Sequence, residues 1–541
     1  MIDSNSKPGI SRGVHLLETE TVQPDASDIT PQIASNSFGP QLYEHLSQDS
    51  ARMILIVLFA FGVLVRLVQY ASHRSLWLDE AMISLHFLHH TASELLLRPL
   101  ENHQGAPLAF LLVERLAVLT LGPSEYSLRL FPLVAGLLSI FVFHAVARKW
   151  LGQKSALVAL FFFVISSSLI YYSSMAKQYS TDVMVALLLY AAVSVLDPRV
   201  SFADAVLLGL AGAAGVWFSH PAIFVFTGIC ATLFVSSLLA RNRTAALNTI
   251  LAFFLGLASF ASVYWLSLKP LIADRDLRIE HSENFAPFLL SGHAITWYYQ
   301  KLVGLFEGPV GLGASALATF VFVVGTIAMY RNSRTRTCFL LLPVMMALGA
   351  SGLHRYPFAD RFLLFATPGL LLVLSEGLEQ LDRVLRPSFA AAGIVLLFLL
   401  SFRPLTHSVR ILFHPFTVEE IRPVLEYVEA HQQTGDVIYV YYGAQPAFDY
   451  YCEASRFHAA GPVFNGREGR GHWLIFEEDV MRLRGKGRTW VIFSHNWTDD
   501  GADEEKLLSY DLDAIGHRID SFQEPGAAAY LYDLRDASPA R

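Results

Sequence analysis

The stretch MILIVLFAFGVLVRLVQYASHRSLWLDEA, Met53 to Ala81, decides the fold. Between Met53 and Tyr70 it carries a single charge, Arg66, which suits a helix crossing about 30 Å of hydrocarbon. The chain then turns polar and delivers two adjacent carboxylates, Asp79 and Glu80, where it leaves the bilayer. Such a position combines low dielectric with access to water and can move a carboxylate toward general-base work. It is equally a place for an acidic cap on a helix beginning at Ala81.

Further blocks of the same kind follow near 127–147, 155–175, 182–196, 203–218, 221–240, 246–268, 310–330, 337–353, 362–382 and 388–404. They predict an all-α polytopic membrane protein with about eleven transmembrane helices. Composition agrees: 53% of residues are hydrophobic and 16% charged, where soluble proteins approach roughly a quarter charged. The formal charge of −7 is modest and its basic residues are dispersed, so nucleic acid is excluded as a partner. Three isolated cysteines make neither a disulfide framework nor a metal pair.

Arg148, Lys149, Lys154, Arg199, Arg241, Arg243, Arg331, Arg334, Arg336, Arg383 and Arg386 fall in alternate loops, which the positive-inside tendency assigns to the cytoplasm. Three regions follow: a mostly disordered cytoplasmic tail (1–50), a membrane domain (51–405) and a small extracytoplasmic α/β domain (406–541). In the last, Thr417 with Glu420 reads as a helix start, and DVIYVYY (436–442) and TWVIFSH (489–495) read as strands. No phosphate loop or nucleophile elbow occurs there, which points to acceptor recognition or support.

The outer side receives 73–126, 269–309 and the short HRYPFADR loop (354–361). In the first, His103 precedes an apolar stretch, Leu108–Leu121, too short for a span and carrying Glu114 and Arg115; it reads as interfacial or re-entrant. His103 is either a metal ligand or a hydrogen-bonded histidine near the headgroups. The second joins charged residues to Trp297, Tyr298 and Tyr299, which can cover a bound sugar or simply form an interfacial belt.

Four segments carry a resemblance: LWLDEA (76–81), the outer-loop helix with its Gly-x-x-Glu turn and Arg-Leu span entry (106–152), YYSSMAKQYSTD (171–182) and YPFADRFLLFATP (356–368). In this order the chain resembles GT-C membrane glycosyltransferases that use polyprenyl-phosphate sugars. The likeness is greatest to the lipopolysaccharide-core galacturonosyltransferases, then to the lipid A aminoarabinose transferases and protein O-mannosyltransferases, and it covers about residues 52–405.

The resemblance implies inverting transfer from a polyprenyl-phosphate sugar to a hydroxyl of an envelope glycan, glycolipid or protein, on the periplasmic side of the inner membrane. It assigns the base to Asp79, with Glu80 beside it and Asp182 orienting the acceptor or holding a metal. Lys177, Arg355 and Arg361 are candidate cations for the donor phosphate, with His103 and Tyr356 as further substrate contacts, although headgroup contact also explains a basic residue at a membrane boundary. Some relatives use a glutamate near the outer-loop Pro-Leu to bind a divalent ion. Gln104 stands there here, so a divalent metal is left open, with His220 as another candidate ligand. Competing readings are a lipid-sugar flippase working through Arg66 and His144, or a silent scaffold.

Overall fold

The structure is a computed structural model and describes residues 48–535, apart from 197–198, 289–290, 293 and 499–501. The tail expectation for 1–50 therefore falls almost wholly outside the described residues. Eight described helices are long and apolar enough to cross a membrane: Gln48–Ala71, Glu125–Trp150, Ala222–Leu239, Arg243–Ala273, Ser315–Asn332, Arg334–Gly352, Asp360–Leu385 and Ala392–Ile411. Three shorter apolar helices, Gln153–Ile165, Tyr179–Val195 and Phe202–Phe218, occupy the other predicted blocks.

One block is broken. Its helix ends at Ile165 because the serine run that follows offers the backbone other partners. The Ser166 side chain caps the next helix, Ser167–Tyr172, and donates to the Val310 carbonyl at 2.7 Å, while Ser168 donates to Gly308 at 2.5 Å.

Helix crossings depend on small residues. Where Ser315–Asn332 meets Thr367–Leu385, a Cβ on Gly325 would lie 2.0 Å from the Val373 carbonyl oxygen, and one on Gly377 2.0 Å from that of Val321. The obstacle on each side is backbone, which cannot step aside, so the glycines set the approach of the two helices. Gly377→Val is expected to lower the thermal midpoint of the detergent-solubilised protein by several degrees; an unchanged midpoint would mean that the crossing tolerates separation.

The 73–126 loop forms the helices Leu78–His89, Ala92–Leu97 and Leu108–Leu121. Leu78–His89 begins earlier than expected, with Trp77 at its N-cap position, so Asp79 and Glu80 lie in the first turn and neither is the cap.

The C-terminal domain holds a five-stranded sheet of β1 (Val437–Val440), β2 (Val463–Asn465), β3 (Arg488–Ser494), β4 (His517–Glu524) and β5 (Ala527–Asp533), ordered β2-β1-β3-β5-β4. β1 pairs in parallel with β2 and β3, while β5 runs antiparallel to β3 and β4. β1 and β3 are the two predicted strands, and both are buried. The helix-start reading at Thr417 needs correction. The helix begins at Ile421 without a side-chain cap, and the Glu420 carboxylate instead accepts from the Ser75 N–H and hydroxyl at 3.1 and 3.0 Å.

Candidate active site

A cavity of about 1120 Å³ opens among the 73–126 loop, the 269–309 loop, the 354–361 loop and the C-terminal domain. Asp79, His103, Lys177, Asp182, Arg355, Tyr356 and Arg361 all line it, although they are scattered over almost 300 positions of sequence. Glu80 does not.

Asp79 is the centre of the charged wall. One carboxylate oxygen accepts from Arg361 Nη1 at 2.6 Å; the other lies 3.8 Å from Lys177 Nζ and accepts from Gln104 Nε2 at 3.4 Å. Burial by itself would raise the Asp79 carboxyl, but the Lys177 and Arg361 charges outweigh it and hold the group at about 2. Lys177 also donates to the Gln104 amide oxygen, so Gln104 bridges the base candidate and one of its cations.

The sign for pH follows from this depression. The ion-paired form contributes stability above the unfolded carboxyl value near 4, and that contribution is lost as pH falls toward 2. In substrate-free protein, the stability difference between wild type and Asp79→Asn should stay flat from pH 5 to 8 and change only below about pH 4. A slope near neutrality would show that the two cations do not hold Asp79 as described.

Glu80 points the other way, fully buried. It accepts from Arg129 Nε and Nη2 at 2.9 and 2.7 Å, a bidentate pair, and from the Ala176 N–H at 2.6 Å. Burial would raise the Glu80 carboxyl, but Arg129 and Arg74 keep it ionised. Arg129 also donates to the Arg74 and Ser75 carbonyls at 2.7 and 2.9 Å, so the pair fixes the strand of chain leading to Asp79.

The C-terminal domain holds the same strand from outside. Tyr451 donates from its hydroxyl to Glu125 at 2.9 Å and accepts from the Leu76 N–H at 3.0 Å, while Glu419 accepts from the Leu78 N–H at 2.9 Å. Arg422 donates to Glu125 at 2.9 Å. None of these was visible as a site residue in sequence, because each partner lies some 300 positions or more from the segment it holds.

Elsewhere on the wall, Tyr356 donates to the Phe362 carbonyl at 2.6 Å and packs edge-on against Phe224, and burial pushes its phenol well up. Asp182, in the first turn of Tyr179–Val195, and His220 also face the cavity. Burial pushes the His220 imidazole down to about 4, leaving it neutral. Trp297, Tyr298 and Tyr299 do not line the cavity; Trp297 and Tyr298 donate instead to the Glu283 and Pro287 carbonyls. Arg66 is buried and donates to the Gly62 and Phe163 carbonyls.

His103, Asp274 and Asp276 bring ligand atoms within 4.8 Å of one another, a nitrogen-and-carboxylate set that fits a divalent ion. His103 already pairs with Asp274 at 2.8 Å, a bond that raises its imidazole, and the other Asp274 oxygen caps the helix Arg275–Glu280. His103 and Asp276 line the cavity, and Asp79 is not part of the group.

No family profile matches the sequence and no curated protein aligns with it. Among solved structures the chain is similar to ArnT from Cupriavidus metallidurans in the apo state, with a TM-score of 0.52 and 12% identity over 89% of this chain and 98% of that one. The fold is GT-C. Lower similarity joins it to the same ArnT bound to undecaprenyl phosphate (TM-score 0.49, 13% identity, 88% and 98% covered). The Archaeoglobus fulgidus oligosaccharyltransferase in the apo form is comparable (TM-score 0.49, 10% identity, 90% and 74% covered). Because 89% of the chain is covered, the match to ArnT extends beyond residues 1–405 into the C-terminal domain.

Proposed function

We propose that this protein is a membrane glycosyltransferase that moves a sugar from a polyprenyl-phosphate donor to a hydroxyl of an envelope glycan, glycolipid or protein, at the extracytoplasmic face of the plasma membrane. The observation that carries the reading is the carboxylate of Asp79 set between Arg361 and Lys177 in a cavity at the membrane boundary. The GT-C fold and the sequence resemblance support it.

In this reading the donor phosphate enters the cavity and takes the two cations from Asp79. Arg361 binds it through its planar fork and Lys177 as a point charge. Freed of them, Asp79 becomes a stronger base at the moment the acceptor arrives. It accepts the acceptor's hydroxyl proton as the acceptor oxygen bonds to the anomeric carbon from the face opposite the phosphate. The bond from that carbon to the phosphate oxygen breaks, its electron pair leaving on the polyprenyl phosphate, where Arg361 and Lys177 stabilise the added charge. The configuration inverts. Glu80 is a positioning residue in this scheme. A divalent ion held by His103, Asp274 and Asp276 would add positive charge beside the cavity wall that His103 and Asp276 line.

Native mass spectrometry of Asp79→Asn protein purified in mild detergent tests the donor. A retained polyprenyl-phosphate sugar supports the proposal and its mass gives the sugar; absence of any such lipid, under conditions where a control transferase keeps its own, removes the main support. Arg361→Gln should weaken donor retention by about 10- to 100-fold, the value of a charge-assisted bond to phosphate. Retention equal to wild type would take Arg361 out of the donor site.

A further inference from the structure

The cavity holds a second group of polar atoms beside the Asp79 wall, and it differs from that wall in chemistry. Gln178 and Asp182 are one helical turn apart at the start of Tyr179–Val195: the Asp182 N–H donates to the Gln178 carbonyl at 2.9 Å, and four residues of helix rise by about 6 Å. Both residues are more than nine-tenths buried, and both line the cavity. His220, in the turn before Ala222–Leu239, lines it with them. Each brings a buried atom with no hydrogen-bond partner among the described residues, namely Gln178 Oε1, Asp182 Oδ1 and His220 Nε2.

Structural roles do not account for these atoms. Gln178 stands at the N-cap position of its helix yet makes no side-chain cap bond, and its amide nitrogen reaches the Gly105 carbonyl only at 3.4 Å. Ser219 neighbours the Asp182 carboxyl, and Oδ1 still lacks a partner. A metal ion fits poorly: the cluster of three potential ligands among the described residues is His103, Asp274 and Asp276, and neither Asp182 nor His220 belongs to it. Buried polar atoms left unbonded are costly, so three of them along one cavity wall indicate a partner from outside the chain.

Their place in the chain says which partner. Lys177, the residue before Gln178, stands 3.8 Å from Asp79, and Tyr179, the residue after it, has its ring centroid 5.9 Å from the Arg361 guanidinium. A sugar esterified to a phosphate between Lys177 and Arg361 therefore has Gln178, then Asp182, as its neighbours. Pro221, Ile223, Phe224 and Phe260 make the surrounding wall apolar, as in small-molecule pockets where a few polar groups set orientation. Sugar hydroxyls both give and accept hydrogen bonds, so they satisfy an amide oxygen, a carboxyl oxygen and an imidazole nitrogen in either tautomer. We propose that Gln178, Asp182 and His220 form the subsite for the transferred sugar, binding its hydroxyls while Arg361 and Lys177 hold the phosphate. The inference rests on the transferase reading and assigns its sugar specificity to these three side chains, not acceptor orientation or metal binding to Asp182.

The test takes the full chain with Asp79→Asn, purified in mild detergent, as the parent and adds Gln178→Met or Asp182→Ala to it. Native mass spectrometry reads two lipids on each protein: the copurified polyprenyl-phosphate sugar and bare undecaprenyl phosphate added in titration. In both variants the ratio of sugar-bearing to bare lipid should fall at least about tenfold, as for loss of a hydrogen bond to a buried group, while bare lipid half-saturates within about twofold of the parent. An unchanged ratio would overturn the subsite, and a transfer defect alongside it would give these residues to the acceptor. Equal loss of both lipids would also overturn it, by making them part of the phosphate site. The thermal midpoint of lipid-free Gln178→Met should be no lower than the parent's, because the bond removed is one to a ligand; a fall of several degrees would show that the amide serves the fold instead. A parent that carries no sugar-bearing lipid sinks the transferase reading and the subsite with it, whereas a loaded parent with unaltered variants sinks the subsite alone.

Discussion

Asp79→Asn is expected to lower sugar transfer by about 10² to 10⁴-fold, the usual contribution of a positioned general base, while the protein keeps its donor lipid at least as well as wild type. The second half of the expectation comes from geometry. Asp79 occupies Arg361 at 2.6 Å and stands 3.8 Å from Lys177, so in the empty protein it competes with the donor phosphate for both. An amide keeps the size of the side chain but removes the competing charge. The donor should therefore be held more tightly as turnover collapses, a combination that a merely structural aspartate would not produce. Single-turnover transfer from pre-bound donor measures the first half and lipid retention the second. Transfer within threefold of wild type would remove Asp79 from the chemistry; lost retention would show that the carboxylate helps to build the donor site instead of guarding it.

The membrane helices were legible because each is a run of apolar residues whose physics is local: length and hydropathy suffice, and all the predicted blocks carry helices. Where the expectation slipped, a local competitor decided. The Ser166–Ser168 hydroxyls bond to carbonyls of 308–311 and break a block that hydropathy reads as continuous. Thr417 and Glu420 have the spacing of a capping box, yet Glu420 is drawn to Ser75, some 345 positions away. The site followed the same division. Residues at loop and span boundaries were readable from their position, and the fold brings seven of them around one cavity. What spacing could not separate was the roles of Asp79 and Glu80, neighbours in sequence that face opposite surroundings because successive helical residues are about 100° apart. Nor could it find Trp497 and Arg470, which line the same cavity only because of how a separate sheet docks.

Breaking the Glu80–Arg129 pair should be the most damaging single change to the fold. Arg129→Met leaves a fully buried carboxylate with one backbone N–H and a more distant Arg74 at 4.0 Å, and removing one partner of a buried pair typically destabilises by about 3–5 kcal/mol. The same change strips the Arg74 and Ser75 carbonyls of their donors, so the strand before Asp79 loses its inner anchor while Glu419 and Tyr451 still hold it from outside. The variant should lose yield and thermal midpoint together. A second substitution separates stability from positioning: Glu80→Leu/Arg129→Met removes the carboxylate together with its bidentate partner, Arg74 keeps its bond to the Ser174 carbonyl and its place over the Tyr171 ring, and replacing both members of a buried pair with apolar residues is often close to neutral. The double variant should therefore regain most of the midpoint yet stay poor in transfer, because the carbonyls that fix Asp79 remain unbound. Recovery of transfer along with stability would mean that the pair only supports the fold and that the outer clamp alone positions the base.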